Sequence, residues 1–272
     1  MHYCARCDFY FAWPLLPVDP VQLFSDAYRG AESRRAMGDF AKRMERRGTL
    51  ITNERIGLWS PAYWRTLDYL SLRYPHGARV LEVGPGVGAF MHALWRRGHT
   101  VRGLDVGGPV VEALRGDGFP MHHGEVSTVP NGLWADTQVV ATFFALHHIQ
   151  QPVEWLRSIR DRWPHAVLIV GGYKPITPET AEERNYPPRT WGWWSPTALT
   201  EALREAGYAS FGWRLPLSTP EIGMPRWMMR AGSGVAWLHP SIRHGAAAAL
   251  DVVLRRTRWN AGCLWMVAEP CE

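Results

Sequence analysis

The stretch "RVLEVGPGVGAFMHALWRRGHTVRGLDV", Arg79–Val106, decides how this chain is read. It begins with an apolar run, Arg79–Val83, passes through Gly84, Gly86 and Gly88, and continues into a segment with helical spacing. Glycines so closely spaced let the backbone turn sharply and meet a ligand with no Cβ in the way. In open α/β sheets ligands lie beyond the carboxyl ends of the strands, which is where such a turn falls. Taken alone the turn is ambiguous. Gly84 to Ala89 also satisfies the dinucleotide pattern that permits a final Ala, and glycines here equally serve plain packing of helix on strand.

Outward from this stretch, strand-like runs recur at Arg79–Val83, Thr100–Val106, Pro120–His123, Gln138–Phe144 and Ala166–Gly171. Helical patterns at Gly88–Arg97, Pro109–Gly116 and Pro152–Trp163 separate them, and a helix from Pro61 to about Tyr74 leads in. Continuous apolar strands are buried on both faces, and strands joined through helices cross over right-handed into a parallel sheet. The pattern predicts a doubly wound α/β domain. Further on, "SPTALTEALREAG" predicts a helix capped by Ser195, with Pro196 in its first turn and Gly207 closing it. Strands are expected at Tyr208–Leu215 and Gly262–Pro270. The intervening Pro216–Asn260 is too long for a hairpin loop and carries an expected helix from Ile242 to Arg256.

The 272 residues, 46% hydrophobic and 20% charged, suit a soluble globular protein with one large domain or one domain with appendages. The expected division is an N-terminal module over residues 1–50 and a second domain over 51–272, with 216–260 a lid-like insertion. Residues 31–50 read as an amphipathic helix with Met37, Phe40, Ala41 and Met44 on one face. The formal charge of +5 is spread without a long Lys/Arg block, and no basic, aromatic-interleaved nucleic-acid module is evident. No run approaches the roughly 18 apolar residues of a membrane span and no signal-peptide pattern opens the chain, so a cytoplasmic location is expected. The cysteines, Cys4, Cys7, Cys263 and Cys271, are too few and too near the ends for a disulfide scaffold.

The neighbours of the glycine turn carry the chemistry. Glu82 stands at the strand's end, where a carboxylate can receive an ammonium or order water near one. Asp105 ends the next strand, where it can accept both hydroxyls of a ribose and would repel a 2′-phosphate. After the third strand, Glu125 can face an adenine edge and the Val126 amide can meet a ring nitrogen. After the fourth, Thr142 and Phe143 fall at the strand exit and His147 and His148 open toward the next helix.

In this order, "VLEVGPGVG", "GLDV", "GEVSTVP" and "TQVVATFFALHHIQQP" resemble the successive motifs of class I S-adenosylmethionine-dependent methyltransferases. "WGWWSPTALTEALREAGY" and "CLWMVAEP" resemble that family's late helix and closing antiparallel strand, so the likeness spans Ala78–Pro270. The resemblance implies a Rossmann-like, mostly parallel seven-stranded sheet with a C-terminal antiparallel strand, and S-adenosyl-L-methionine as cofactor. It implies Gly84, Gly86 and Gly88 against the methionine part of the cofactor, Asp105 at the ribose and Glu125 by the adenine. That cofactor has no phosphate, so the turn need not cradle an anion.

Methyl transfer displaces a sulfonium at carbon, and a general base matters only if the acceptor must lose a proton. His147 and His148 are the candidate bases, since histidine titrates near neutrality. Successive positions on a regular element would point them apart, which leaves one of them structural. Trp191, Trp193 and Trp194, with Trp227 and Trp237, are candidates for an apolar acceptor wall, beside the plainer reading that most are core. Cys4 and Cys7 supply half of a tetrahedral zinc site, with His2 a conceivable third ligand. Their segment resembles the second half of a small zinc-binding module preceding some of these methyltransferases, and no metal site is assigned. The function expected is methyl transfer to a small-molecule acceptor, at oxygen, nitrogen or carbon, with nucleic acid and membrane not expected as partners. An NAD-dependent oxidoreductase and a non-catalytic binding module of the same fold stay open as alternatives, as does methylation of RNA.

Overall fold

The computed structural model of the protein describes residues 1–19, 23, 61–173, 176–215 and 263–271. The expected helix at 31–50, the expected insertion at 216–260 with its helix, and Trp227 and Trp237 lie outside the described residues. The chain opens with a hairpin of β1 (His2–Cys4) and β2 (Phe9–Phe11). Then come α1 (Pro61–Arg73), β3 (Arg79–Val83), α2 (Ala89–Trp95), β4 (Thr100–Asp105), α3 (Gly108–Gly116) and β5 (Met121–His123). The second half adds β6 (Val139–Phe143), α4 (Pro152–Arg162), β7 (Val167–Tyr173), β8 (Gly192–Trp193), α5 (Pro196–Glu205), β9 (Tyr208–Leu215) and β10 (Cys263–Pro270). The expected strands and helices among these lie within about two residues of the observed bounds.

Seven strands form the main sheet in the order β5-β4-β3-β6-β7-β10-β9. The first five are parallel, and β10 runs antiparallel to both of its neighbours. This is the doubly wound architecture that the apolar runs predict. The runs are continuous because both faces are covered. Val80, Val139 and Ile169 pack on one side with Leu70, Phe90 and Leu94, while Leu81, Val140 and Leu168 pack on the other with Leu156, Leu199 and Leu203. From β3 the chain winds outward through β4 to β5, then returns to place β6 on the opposite flank of β3. Such a reversal opens a crevice at the carboxyl ends of the two strands that part there.

Two further connections close the structure. Trp265 on β10 is buried, and its Nε1–H donates to Thr66 Oγ1 at 2.9 Å, while Thr66 donates in turn to the carbonyl of Ala62 at 2.8 Å. The helix preceding the sheet is thereby fastened to its last strand. Ser195 caps α5 as expected, its Oγ accepting from the Ala198 N–H at 3.0 Å. The N-terminal hairpin does not stand apart, because β2 pairs with β8, Tyr10 opposite Trp193 and Phe11 opposite Gly192, in a separate three-stranded sheet. Among the described residues no helix is long and apolar enough to cross a membrane.

The Thr66 hydroxyl is a buried acceptor for an indole that has no water to turn to. Thr66→Val keeps the shape and orphans that donor, so it should lower the unfolding free energy by about 1–3 kcal/mol in urea denaturation, while Thr66→Ser restores most of the loss.

Candidate active site

The turn after β3 is built from three left-handed residues, Gly84, Gly86 and Gly88, with φ of 73°, 56° and 73°. Two of them have distinct reasons to be glycine. A Cβ on Gly88 would come within 2.3 Å of Leu114 on α3, so this position lets the turn seat against α3. A Cβ on Gly86 would meet nothing within 4 Å, so the crest of the turn faces open space. The turn is also pinned sideways, since the Gly84 N–H donates to the Leu104 carbonyl of β4 at 2.8 Å.

Below the turn, Glu82 is 1% exposed and its Oε2 has no hydrogen-bond partner. Burial is the main cause that pushes its carboxyl up to about 8, and the nearby charge of Asp105 adds to it. Glu82 is therefore mostly protonated at neutral pH. Asp105, at the end of β4, accepts the Gly107 N–H at 2.7 Å, which fixes the direction of its carboxylate. On the far flank, Glu125 is exposed and opens a single 3₁₀ turn, Val126–Thr128, in which Val126 is buried in the core. Thr142, opposite Val83 in the register of β6, is buried with an unpartnered Oγ1 and projects to the face of the sheet opposite Glu82.

At the exit of β6 the two phenylalanines separate. Phe143 is in the core, edge-on to Tyr63 at 4.8 Å and to Phe90 at 4.9 Å. Phe144 has a left-handed φ of 57°, is 39% exposed, and lays its ring over Gly172, where a Cβ would sit 2.8 Å from the ring. It is the aromatic left at the strand exit, and sequence reading passed over it. The signal was present, because adjacent residues of a strand face opposite sides and both rings of "FF" could not enter one core.

The histidines lie on a 3₁₀ turn, Leu146–His148, rather than on a regular helix or strand. Their rings do not diverge as expected but sit 3.8 Å apart between centroids, since a single tight turn does not impose the alternation of a strand. Burial, and then the neighbouring His148, hold His147 well below the usual histidine range, so it is neutral at pH 7. His148 donates its Nδ1–H to the carbonyl of Arg189, which assigns the proton-accepting lone pair of the neutral ring to Nε2. The His147 backbone is held as well, its carbonyl accepting the Trp191 N–H at 2.8 Å. Trp191, Trp193 and Trp194 are all buried, and Trp193 donates to the Asn185 carbonyl at 2.6 Å. They are core and interface residues, not an open wall.

The family model described as a methyltransferase domain matches residues 54–210, more than half of the chain. No curated protein matches it. Among solved structures, the phosphoethanolamine N-methyltransferase 2 of Haemonchus contortus, with phosphomonomethylethanolamine and S-adenosylhomocysteine, is 15% identical with a TM-score of 0.57, over 93% of this chain and 60% of that one. A chain of the complex between the Haloferax volcanii Trm112 methyltransferase activator and a methyltransferase is 19% identical with a TM-score of 0.55, over 89% of this chain and 97% of that one. The Burkholderia thailandensis 1,6-didemethyltoxoflavin-N1-methyltransferase, with 1,6-didemethyltoxoflavin and S-adenosylhomocysteine bound, is 15% identical with a TM-score of 0.51, over 100% of this chain and 99% of that one. At these identities the likeness carries the fold, and the family model carries membership. The chain belongs to the methyltransferase-domain family and has the Rossmann-like fold of class I S-adenosylmethionine-dependent methyltransferases.

Proposed function

We propose that the chain transfers a methyl group from S-adenosyl-L-methionine to a small organic acceptor in the crevice beyond β3 and β6. The observation that carries this reading is the buried, unpartnered carboxyl oxygen of Glu82 beneath an open glycine crest. A buried polar atom without a partner calls for a ligand group. An ammonium such as that of a methionine moiety answers it by drawing off the carboxyl proton. The residues around it fit the rest of such a cofactor. On this reading Asp105, its carboxylate held by the Gly107 N–H, accepts the ribose hydroxyls, Glu125 and the Val126 amide meet the adenine edge, and Gly86 leaves room for close approach.

When bound, the cofactor supplies an electrophilic methyl on a sulfonium. The protein's share is orientation and exclusion of water. Thr142 and Phe143 carry the backbone to the strand exit, and the half-exposed Phe144 ring offers an apolar surface to an acceptor. His147, neutral and confined, positions the turn, whereas Nε2 of His148 is the atom that can take a proton where the acceptor must lose one. Two structural neighbours hold small molecules beside S-adenosylhomocysteine, phosphomonomethylethanolamine and 1,6-didemethyltoxoflavin, which supports a small molecule here. Calorimetric titration tests the reading directly: S-adenosylhomocysteine should bind, and binding of NADH in its place would overturn it.

The raised Glu82 gives the binding a proton signature. At pH 7, titration of S-adenosylmethionine in buffers of different ionisation enthalpy should show release of about one proton, falling toward zero above pH 9 and absent in Glu82→Gln. The same group affects the unliganded fold. Its folded pKa lies above the unfolded value of roughly 4.3, so the wild type loses stability as pH rises from about 4 to about 8, the window in which only the unfolded state ionises. The melting temperature of Glu82→Gln should therefore exceed that of wild type by a margin that widens across that window. Asp105→Ala should weaken cofactor binding by about 1–3 kcal/mol through the unpaired ribose hydroxyls, with the melting temperature of the free protein little changed.

A further inference from the structure

Outside the crevice, the sharpest chemical juxtaposition is in the tight turn between β1 and β2, Cys4-Ala5-Arg6-Cys7. Both cysteines are free thiols and partly buried, and Cys7 donates its S–H to Cys4 Sγ with the sulfurs 2.9 Å apart. The turn is anchored on both sides. Ser195 Oγ donates to the Cys7 carbonyl at 3.3 Å, Tyr3 donates to Asp8 at 3.2 Å, and β2 is paired with β8. The sulfurs are thus held together by the fold of the hairpin.

Two uses of such a pair call for different separations. Two thiolates on one tetrahedral zinc, with Zn–S bonds of about 2.3 Å, lie about 3.8 Å apart. A disulfide brings them to about 2.05 Å. At 2.9 Å the sulfurs stand between these two separations, within a short movement of a covalent bond. The candidate third ligand, His2, directs Nε2 at the Trp13 carbonyl at 3.1 Å, and among the described residues no group of three or more His, Cys, Asp and Glu could hold a metal. The contact also divides the labour between the sulfurs. The hydrogen bond from Cys7, aided by Arg6, lowers the Cys4 thiol, and the same bond raises Cys7.

We propose that Cys4 and Cys7 form a redox-active dithiol, closed reversibly to an intramolecular disulfide by low-molecular-weight disulfides of the glutathione type. The Cys4 thiolate attacks one sulfur of the disulfide, breaks its S–S bond and expels one thiolate. Cys7 loses its proton to solvent and attacks Cys4 Sγ, so that the protein S–S bond forms and the second small thiolate leaves. Two protein thiols are oxidised and one small disulfide is reduced to two thiols. This site uses no residue of the crevice, and it stands or falls independently of the methyl-transfer reading.

Trypsin gives a direct readout, since cleavage after Arg6 releases Cys4 in residues 1–6 and Cys7 in residues 7–29. The full-length protein is incubated with oxidised glutathione, alkylated in acid-quenched samples and digested without reductant. The expected product is the two peptides joined, lighter by two hydrogens than their sum, and returned to separate alkylated peptides by dithiothreitol. Cys7→Ser should instead trap a glutathione adduct on Cys4, and the exposed Cys271 should carry an adduct without forming a link. Recovery of both peptides unlinked in the wild type, whether alkylated or each bearing glutathione, would overturn the proposal. So would zinc binding at one equivalent that shields both thiols from alkylation and blocks the link.

Discussion

A carboxyl group sealed at the end of the central strand sets the terms for everything around it. Glu82 lies where β3 must run between two other parallel strands, so its side chain has no route to water. An ionised carboxylate there would bear the full desolvation cost with Asp105 close enough to add repulsion, and the group stays protonated instead. The unliganded protein therefore holds one negative charge at this end of the sheet where the sequence suggests two. On the proposed reading a cationic ligand group would restore the second. Binding and deprotonation would then be one event, and the net charge at this end of the sheet would be the same with and without the cation.

The reversal of strand order makes this possible and the periphery keeps it in place. Because the chain leaves β3 toward β4 and comes back to β6, the connections after β3 and β6 diverge, and Gly86 opens onto the gap. Neither flank can drift. On one, the Gly84 N–H ties the turn to β4, and on the other Gly172 admits the Phe144 ring where any side chain would displace it. Beyond them β10, inserted antiparallel between β7 and β9, reaches back through Trp265 and Thr66 to the helix preceding the sheet. The site thus rests on long-range contacts that join the helix preceding the sheet to its antiparallel strand.

What could be read from the sequence follows the range of the forces involved. The five parallel strands were legible because burial on both faces demands local runs such as "VVATF", and α5 was legible because Ser195, Pro196 and Gly207 punctuate it locally. The position of Glu82 was legible and its protonation was not, since that depends on neighbours from strands far along the chain. The pairing of β2 with β8 was invisible for the same reason: two residues, Gly192 and Trp193, carry no strand signal until a partner about 180 positions away supplies the hydrogen bonds. The aromatic run at 191–194 could be core or pocket by composition, and packing against the hairpin decided it, with Phe9 4.6 Å from Trp194 and Tyr10 5.1 Å from Trp193.

That same short segment bears on what the histidines can do. Residues 189–193 are shared between two structures. On one side the Trp191 carbonyl accepts from Ala12 at 2.9 Å and β8 pairs with β2, and on the other Trp191 and Arg189 bond the backbone of His147 and the ring of His148. A ring fixed through Nδ1 to a main-chain carbonyl can rotate little without breaking that bond, so the direction of its Nε2 is set by where residue 189 lies. The position of residue 189 is in turn set by buried tryptophans and by the hairpin strapped across them. The N-terminal segment, which composition alone would set aside as an appendage, is in this sense the outer scaffold of the histidine turn, and its order is a condition for any proton transfer that the turn performs.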